Sequence, residues 1–156
     1  MKYLLLLLMT CSSNLLYADD NLPASCQPLV VQGETIKLSA KQPMVILIHS
    51  LAEGDLWLNH PIADVGASAG WSSQLNAGNW TALALNKEDF ELSCIESKPG
   101  HEQQVPCEGM LAACEWPTVR MPAQLKGTFW AGENMTLPAL LVHLGGRGFG
   151  LPASAK

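Results

Sequence analysis

Between Phe90 and Trp116 the chain reads FELSCIESKPGHEQQVPCEGMLAACEW, which places Cys94, His101, Cys107 and Cys114 within one short span. These residue types serve three chemistries: a metal centre, a thiolate nucleophile with its base, or structural crosslinks. A structural zinc site brings its ligands in close pairs, two to four residues apart. Here twelve residues separate Cys94 from Cys107 and six separate Cys107 from Cys114, so no close pair exists. A blue-copper centre needs Cys, His and Met closely spaced on one loop. Cys94, His101 and Met110 follow in that order but are too dispersed. Disulfides are the expectation, involving Cys26, Cys94, Cys107 and Cys114. Phe90, Leu92 and Cys94 share one strand face, and a turn at Pro99-Gly100 sets Cys94 nearly opposite Cys107. Cys26 then pairs with Cys114, one of the three pairings that four cysteines allow.

Other residues also have types that serve chemistry. Gly66-Ala-Ser-Ala-Gly70 has the spacing of a nucleophile elbow, in which Ser68 rides a sharp turn between a strand and a helix. Trp71-Ser-Ser-Gln-Leu75 is a poor helix, and the chain lacks alternating strands and helices. No catalytic residue is expected, although Asp64 and His143 have the types of triad partners. His49 and His60 read as strand-end residues. Five tryptophans are many for a small core, so exposed aromatics are expected at a contact surface. Trp116, beside Pro117, and the pair Phe129-Trp130 are the candidates for partner binding. Asn79-Trp-Thr81 and Asn134-Met-Thr136 match the glycosylation pattern, relevant only in a eukaryotic host.

The compartment is read at the start of the chain. Met1-Lys2-Tyr3 is positively charged, Leu4–Met9 is an unbroken apolar run, and Leu15-Leu16-Tyr17-Ala18 leads to Asp19-Asp20. That layout predicts a secretory signal peptide over residues 1–18 with cleavage after Ala18. Thr10 is a poor residue before a lipidated cysteine, so anchoring through Cys11 is not expected. Removal of Lys2 and Cys11 leaves eight basic residues (nine less one) against 14 acidic ones, a net charge of −6, and four cysteines. An acidic chain is a poor partner for nucleic acid or an anionic membrane. An even cysteine count suits disulfides in an exported protein.

The positioning elements read as short strands divided by turns. Glu34–Ser39 and Asp55–Asn59 alternate between apolar and polar. Met44–Ile48 is continuously apolar, as in a central strand covered on both faces. Asn79–Leu85 and Asp89–Cys94 look like paired strands joined by a tight turn near Asn86-Lys87. Gln103–Cys107, Leu111–Trp116 and Gly127–Ala131 are further strands. Leu75-Asn-Ala-Gly-Asn-Trp80 has the form of a Greek-key corner, with Gly78 at the turn and Trp80 over the sheet end. From Thr136 two readings stand. One is a short helix with Thr136 as cap, Pro138 in its first turn, Leu137, Leu140, Leu141 and Leu144 on one face, and Gly145 ending it; the other is a last strand at Ala139–Leu144. The expected fold is all-β, a Greek-key sandwich of immunoglobulin-like or cupredoxin-like type. One domain spans residues 19–144, and 145–156 form a flexible tail in which Gly145-Gly-Arg-Gly148 is a loose segment.

The run Trp71–Leu85, the span Phe90–Trp116 and the segment Gly127-Thr-Phe-Trp-Ala-Gly-Glu-Asn134 together resemble the enhanced entry proteins of the EnhB type. These are exported proteins of intracellular Gram-negative pathogens. The resemblance covers about residues 70–135. It implies a periplasmic or envelope location and a part in host-cell entry or intracellular survival, without a catalytic motif. The expected function is non-enzymatic binding to an envelope protein partner, with no cofactor, no metal and no stable membrane insertion. The alternative is a periplasmic copper- or zinc-handling protein of cupredoxin-like fold that uses His49, His60, His101 or His143 with methionines.

Overall fold

The computed structural model describes residues 22–60, 71–86, 89–98, 100–116, 121–122 and 127–150. Their elements are β1 (Gln27–Leu29), β2 (Thr35–Ser39), β3 (Met44–Ser50), β4 (Leu56–His60), β5 (Trp71–Leu75), β6 (Trp80–Leu85), β7 (Asp89–Lys98), β8 (His101–Val105), β9 (Leu111–Trp116), β10 (Phe129–Met135) and α1 (Leu137–Gly146). They make two antiparallel sheets. The first has the order β1-β9-β3-β6-β10, and the second β2-β7-β4-β5 with β8 also on β7. The long strand β7 serves both: Asp89–Ser93 pair with β2 and Cys94–Lys98 with β8. β2 and β8 therefore lie end to end along one edge of β7.

Hydrophobic pattern decides which faces meet. Strands β3 and β6 are apolar in almost every position because the first sheet is buried on both sides. Ile46, Ile48, Leu83 and Leu85 point into the space between the sheets, against Ile36, Leu38, Leu56, Leu58, Leu75, Phe90 and Leu92 of the second sheet. Val45, Leu47, Ala82 and Ala84 point the other way, into a second core closed by Leu140 and Leu144 of α1 and by Phe149. The small residues Ala82, Ala84, Ala131 and Gly132 leave room for the helix to lie close. A Cβ on Gly132 would overlap Leu140 Cδ1 and approach His143 Cδ2 to 3.3 Å. The second sheet alternates simply. In β2 and β4, apolar residues point inward, while Lys37, Ser39, Trp57 and Asn59 take the outward positions.

Several expectations are corrected. β6 and β7 are not a hairpin. β6 already has β3 on one edge and β10 on the other, so β7 crosses to the second sheet. The last segment is the helix and not the strand. Pro138 sits in its first turn, but the Thr136 side chain makes no capping hydrogen bond, and the helix runs to Gly146. The domain boundary at 144 also moves. Phe149 is 3% exposed, and its amide donates to Leu144 O, so residues 145–149 belong to the packed structure and not to a loose tail. The signal peptide, with Cys11, and residues 151–156 lie outside the described residues.

The corner at Leu75–Trp80 carries the chain from one sheet to the other. Gly78 takes φ 72°, a conformation that a side chain disfavours, while its amide donates to Ser50 O and Asn79 O accepts from Ser50 N. A cluster of three asparagines locks this corner to β10. Asn134 Oδ1 accepts from Asn76 N and Asn79 Nδ2, both at 2.9 Å, and Asn134 Nδ2 donates to Asn76 Oδ1 at 3.1 Å. Asn134 itself has φ 51°. Asparagine tolerates that region better than most residues. Both glycosylation-pattern asparagines, Asn79 and Asn134, are thus partly buried members of this network.

Candidate binding surface

The cysteines are paired as Cys26–Cys114 and Cys94–Cys107, with Cα–Cα distances of 5.5 and 5.3 Å. The first bridge ties the segment entering β1 to β9. The second ties β7 to the turn after β8, where Glu108 and Gly33 exchange hydrogen bonds and join the β8 end to the β2 start. All four sulfurs are spent on crosslinks, which answers the question posed by the span Phe90–Trp116. Two buried disulfides suit an oxidising compartment outside the cytosol. No helix among the described residues is long and apolar enough to cross a membrane.

The four histidines fall in four places. His49 stacks on its cross-strand partner Trp80, ring centroids 4.3 Å apart. His60 ends β4, stacks on Phe90 at 4.1 Å, and lies 2.7 Å from Glu91 O through Nδ1. A carbonyl oxygen only accepts, so Nδ1 carries the proton there. His101 opens β8 at the surface, and His143 lies in α1 against the first sheet. Among the described residues, no three of His, Cys, Asp and Glu come together as a metal site would require. Asp64 and Ser68 lie outside the described residues. The motif around Ser68 is followed directly by strand β5, however, where a nucleophile elbow requires a helix.

The aromatic candidates are placed differently from expectation. Trp116 is only 5% exposed. It belongs to the core on the helix side of the first sheet, with Cys26, Cys114 and Leu22. The reason is the strand alternation of β9, which points Ala112, Cys114 and Trp116 to a side that the second core covers. Phe129 and Trp130 are half-buried. Arg147 lies over the Phe129 ring at 5.4 Å and donates from Nη1 to Ala131 O at 2.7 Å and Trp130 O at 3.4 Å. Trp130 packs on the core between the sheets. This pair is therefore the wrapped edge of the first sheet, and the Arg147 that wraps it is the residue expected in a loose tail.

The outward face of the second sheet is a candidate contact surface among the described residues. Cross-strand register lines up Gln74, Trp57, Ile95 and Gln104 from β5, β4, β7 and β8 in one row. The neighbouring row holds Ser72, Asn59 and Ser93, and on the other side Ser97 stands opposite Glu102. Trp57 and Ile95 are half-buried, whereas Ser72, Gln74, Glu102 and Gln104 are exposed. A shallow depression of ≈ 270 Å³ is lined by Trp57, Asn59, Ser72, Ile95 and Glu102. A second cleft, ≈ 480 Å³, opens at the end of the same sheet between Lys37, His60, Asp89 and Glu91. Trp57 was not among the aromatic candidates, although the signal was present: in Asp55-Leu-Trp-Leu-Asn59, inward Leu56 and Leu58 force Trp57 outward.

Comparison with protein-family models, with curated proteins and with solved structures finds no match to this chain.

Proposed function

We propose that this chain is an exported, non-enzymatic binding protein of the cell envelope, acting as the enhanced entry proteins it resembles act, in host-cell entry or survival inside the host. The observation that carries the binding reading is the asymmetry of the sandwich. One sheet is closed by a helix, whereas the other presents a rigid outward face centred on Trp57 and Ile95 and ringed by polar side chains. A half-exposed tryptophan held between two paired strands is the kind of anchor that concentrates binding energy. The Cys94–Cys107 bridge ties β7 to the turn after β8 and helps keep that face in shape in an oxidising compartment such as the periplasm.

The test is site-specific photo-crosslinking in the native host, with the photoreactive residue at Gln74 or Gln104 on the face and at Val142 on the helix as control. The reading predicts one recurrent envelope adduct from both face positions and not from Val142. Adducts of equal yield from all three positions, or from Val142 alone, would refute it.

A further inference from the structure

We propose that the outward face of the second sheet binds a neutral saccharide, stacked on Trp57 and held by the amide and hydroxyl side chains around it. The proposal rests on the reading that this face is the contact surface and names its ligand class. A sugar ring has two needs. Its C–H face seeks an apolar platform, and its rim of hydroxyls seeks groups that both donate and accept. Trp57 supplies the platform, extended by Ile95, and its backbone is fixed by pairing to Gln74 on one side and Ile95 on the other. Gln74 and Gln104 stand at the two ends of the same row, and each amide both donates and accepts.

Spacing sets the ligand's extent. Strands lie about 4.8 Å apart, so the row from β5 to β8 spans on the order of 14 Å, suited to a short oligosaccharide lying across the strands. The ≈ 270 Å³ depression beside Trp57 is shallow and lies open at the surface. That shape takes a ring lying flat and not a deeply enclosed apolar molecule.

Charge narrows the class. The three rows contain no lysine or arginine, and their one carboxylate is Glu102. Phosphate and sulfate groups call for arginine or lysine donors. With a formal net charge of −5, the chain repels anionic polymers. Glu102 accepts readily from a hydroxyl.

The experiment is a heteronuclear NMR titration of the oxidised protein with cellotetraose, chitotetraose, maltotetraose and xylotetraose, with a heparin-derived tetrasaccharide as the anionic control. At least one neutral tetrasaccharide is expected to shift the amides of Trp57, Gln74, Ile95 and Gln104. Trp57→Ala should weaken that binding at least about tenfold, as loss of an aromatic stacking platform does. Because Trp57 is partly buried, Gln74→Ala/Gln104→Ala is measured beside it, with a thermal melt of each. Loss of affinity in this folded double variant supports the proposal even if Trp57→Ala unfolds. The proposal is overturned if no neutral tetrasaccharide shifts these amides at millimolar concentration, if only the heparin fragment does, or if folded Trp57→Ala binds like the wild type. Persistent photo-crosslinks from Gln74 and Gln104 without any saccharide shift would remove the ligand class and leave the contact surface standing. Loss of both would remove both.

Discussion

Replacing Gly132 by alanine tests how tightly the helix is laid on the first sheet. A Cβ there falls well inside van der Waals contact with Leu140 Cδ1, and it lies 3.3 Å from His143 Cδ2. Ordinary carbon contacts sit at about 3.5–4.0 Å, so the Leu140 tip must retreat by roughly 1 Å or more. Leu140 is 0% exposed and belongs to the buried cluster that also holds Ala82, Ala84 and Leu144, so its tip retreats only by repacking its neighbours. Overpacking of this kind costs about 1–3 kcal/mol. Alanine recovers about 0.5–1 kcal/mol by restricting the unfolded chain. The steric cost is the larger, and a net loss of about 1–2 kcal/mol is expected from urea denaturation with an unchanged m-value. Leu140→Ala alone should cost about 2–5 kcal/mol through its cavity. In the double variant the new methyl occupies part of that cavity, so the two losses should fall short of additive by at least about 0.5 kcal/mol. A neutral Gly132→Ala, or strict additivity in the double variant, would refute the close approach of α1.

The two bridges differ in the loop they close, 13 residues for Cys94–Cys107 and 88 for Cys26–Cys114. Chain entropy assigns them about 2.9 and 4.6 kcal/mol, so Cys26→Ala/Cys114→Ala should lose about 1.7 kcal/mol more than Cys94→Ala/Cys107→Ala in urea titrations. Asn134→Ala removes three side-chain hydrogen bonds and leaves a less tolerant residue at φ 51°. A loss of about 2–3 kcal/mol is expected, with faster hydrogen exchange at Asn76 and Gly78. Arg147→Ala removes the donors to Ala131 O and Trp130 O and the cation over Phe129. It should lower stability by about 1–2 kcal/mol, and Arg147→Lys should recover only part of it, both read from thermal melts.

The architecture was legible where local pattern and global packing agree. The alternation in β2 and β4 marks one-sided burial, and the unbroken apolar run of β3 marks two-sided burial. Cys94 and Cys107 could be paired because Phe90 and Leu92 fix the face of Cys94, and Pro99-Gly100 marks the turn. Gly100 does take φ 81° there. What failed depends on partners distant in sequence. β1 is three residues containing a proline, and β5 is Trp-Ser-Ser-Gln-Leu. Neither has the composition of a strand, and each is one because β9 or β4 offers it a free edge. The β6–β7 hairpin failed because β10, more than forty residues later, takes the edge that β7 would have used. Trp116 was misplaced for a similar reason. Its alternation is regular, but only α1 and the Cys26 bridge make its side of the sheet an interior. Arg147 has no visible role in a glycine-rich segment and takes one only from the β10 carbonyls beside it. Trp57 was the reverse case, since its outward direction was written in its neighbours.

On the proposed function, this protein meets its partner through the outward face of the second sheet and not through the helix side of the first. The direct measurement is retention of purified, oxidised protein on envelope isolated from the native host, with Trp57→Ala and Val142→Ser compared with the wild type after each is shown to melt cooperatively. Val142, 78% exposed on α1, is the matched apolar control. Loss of a central anchor costs about 2 kcal/mol, so Trp57→Ala should weaken retention roughly thirtyfold while Val142→Ser leaves it unchanged. Equal retention of all three proteins, or loss confined to Val142→Ser, would contradict the account.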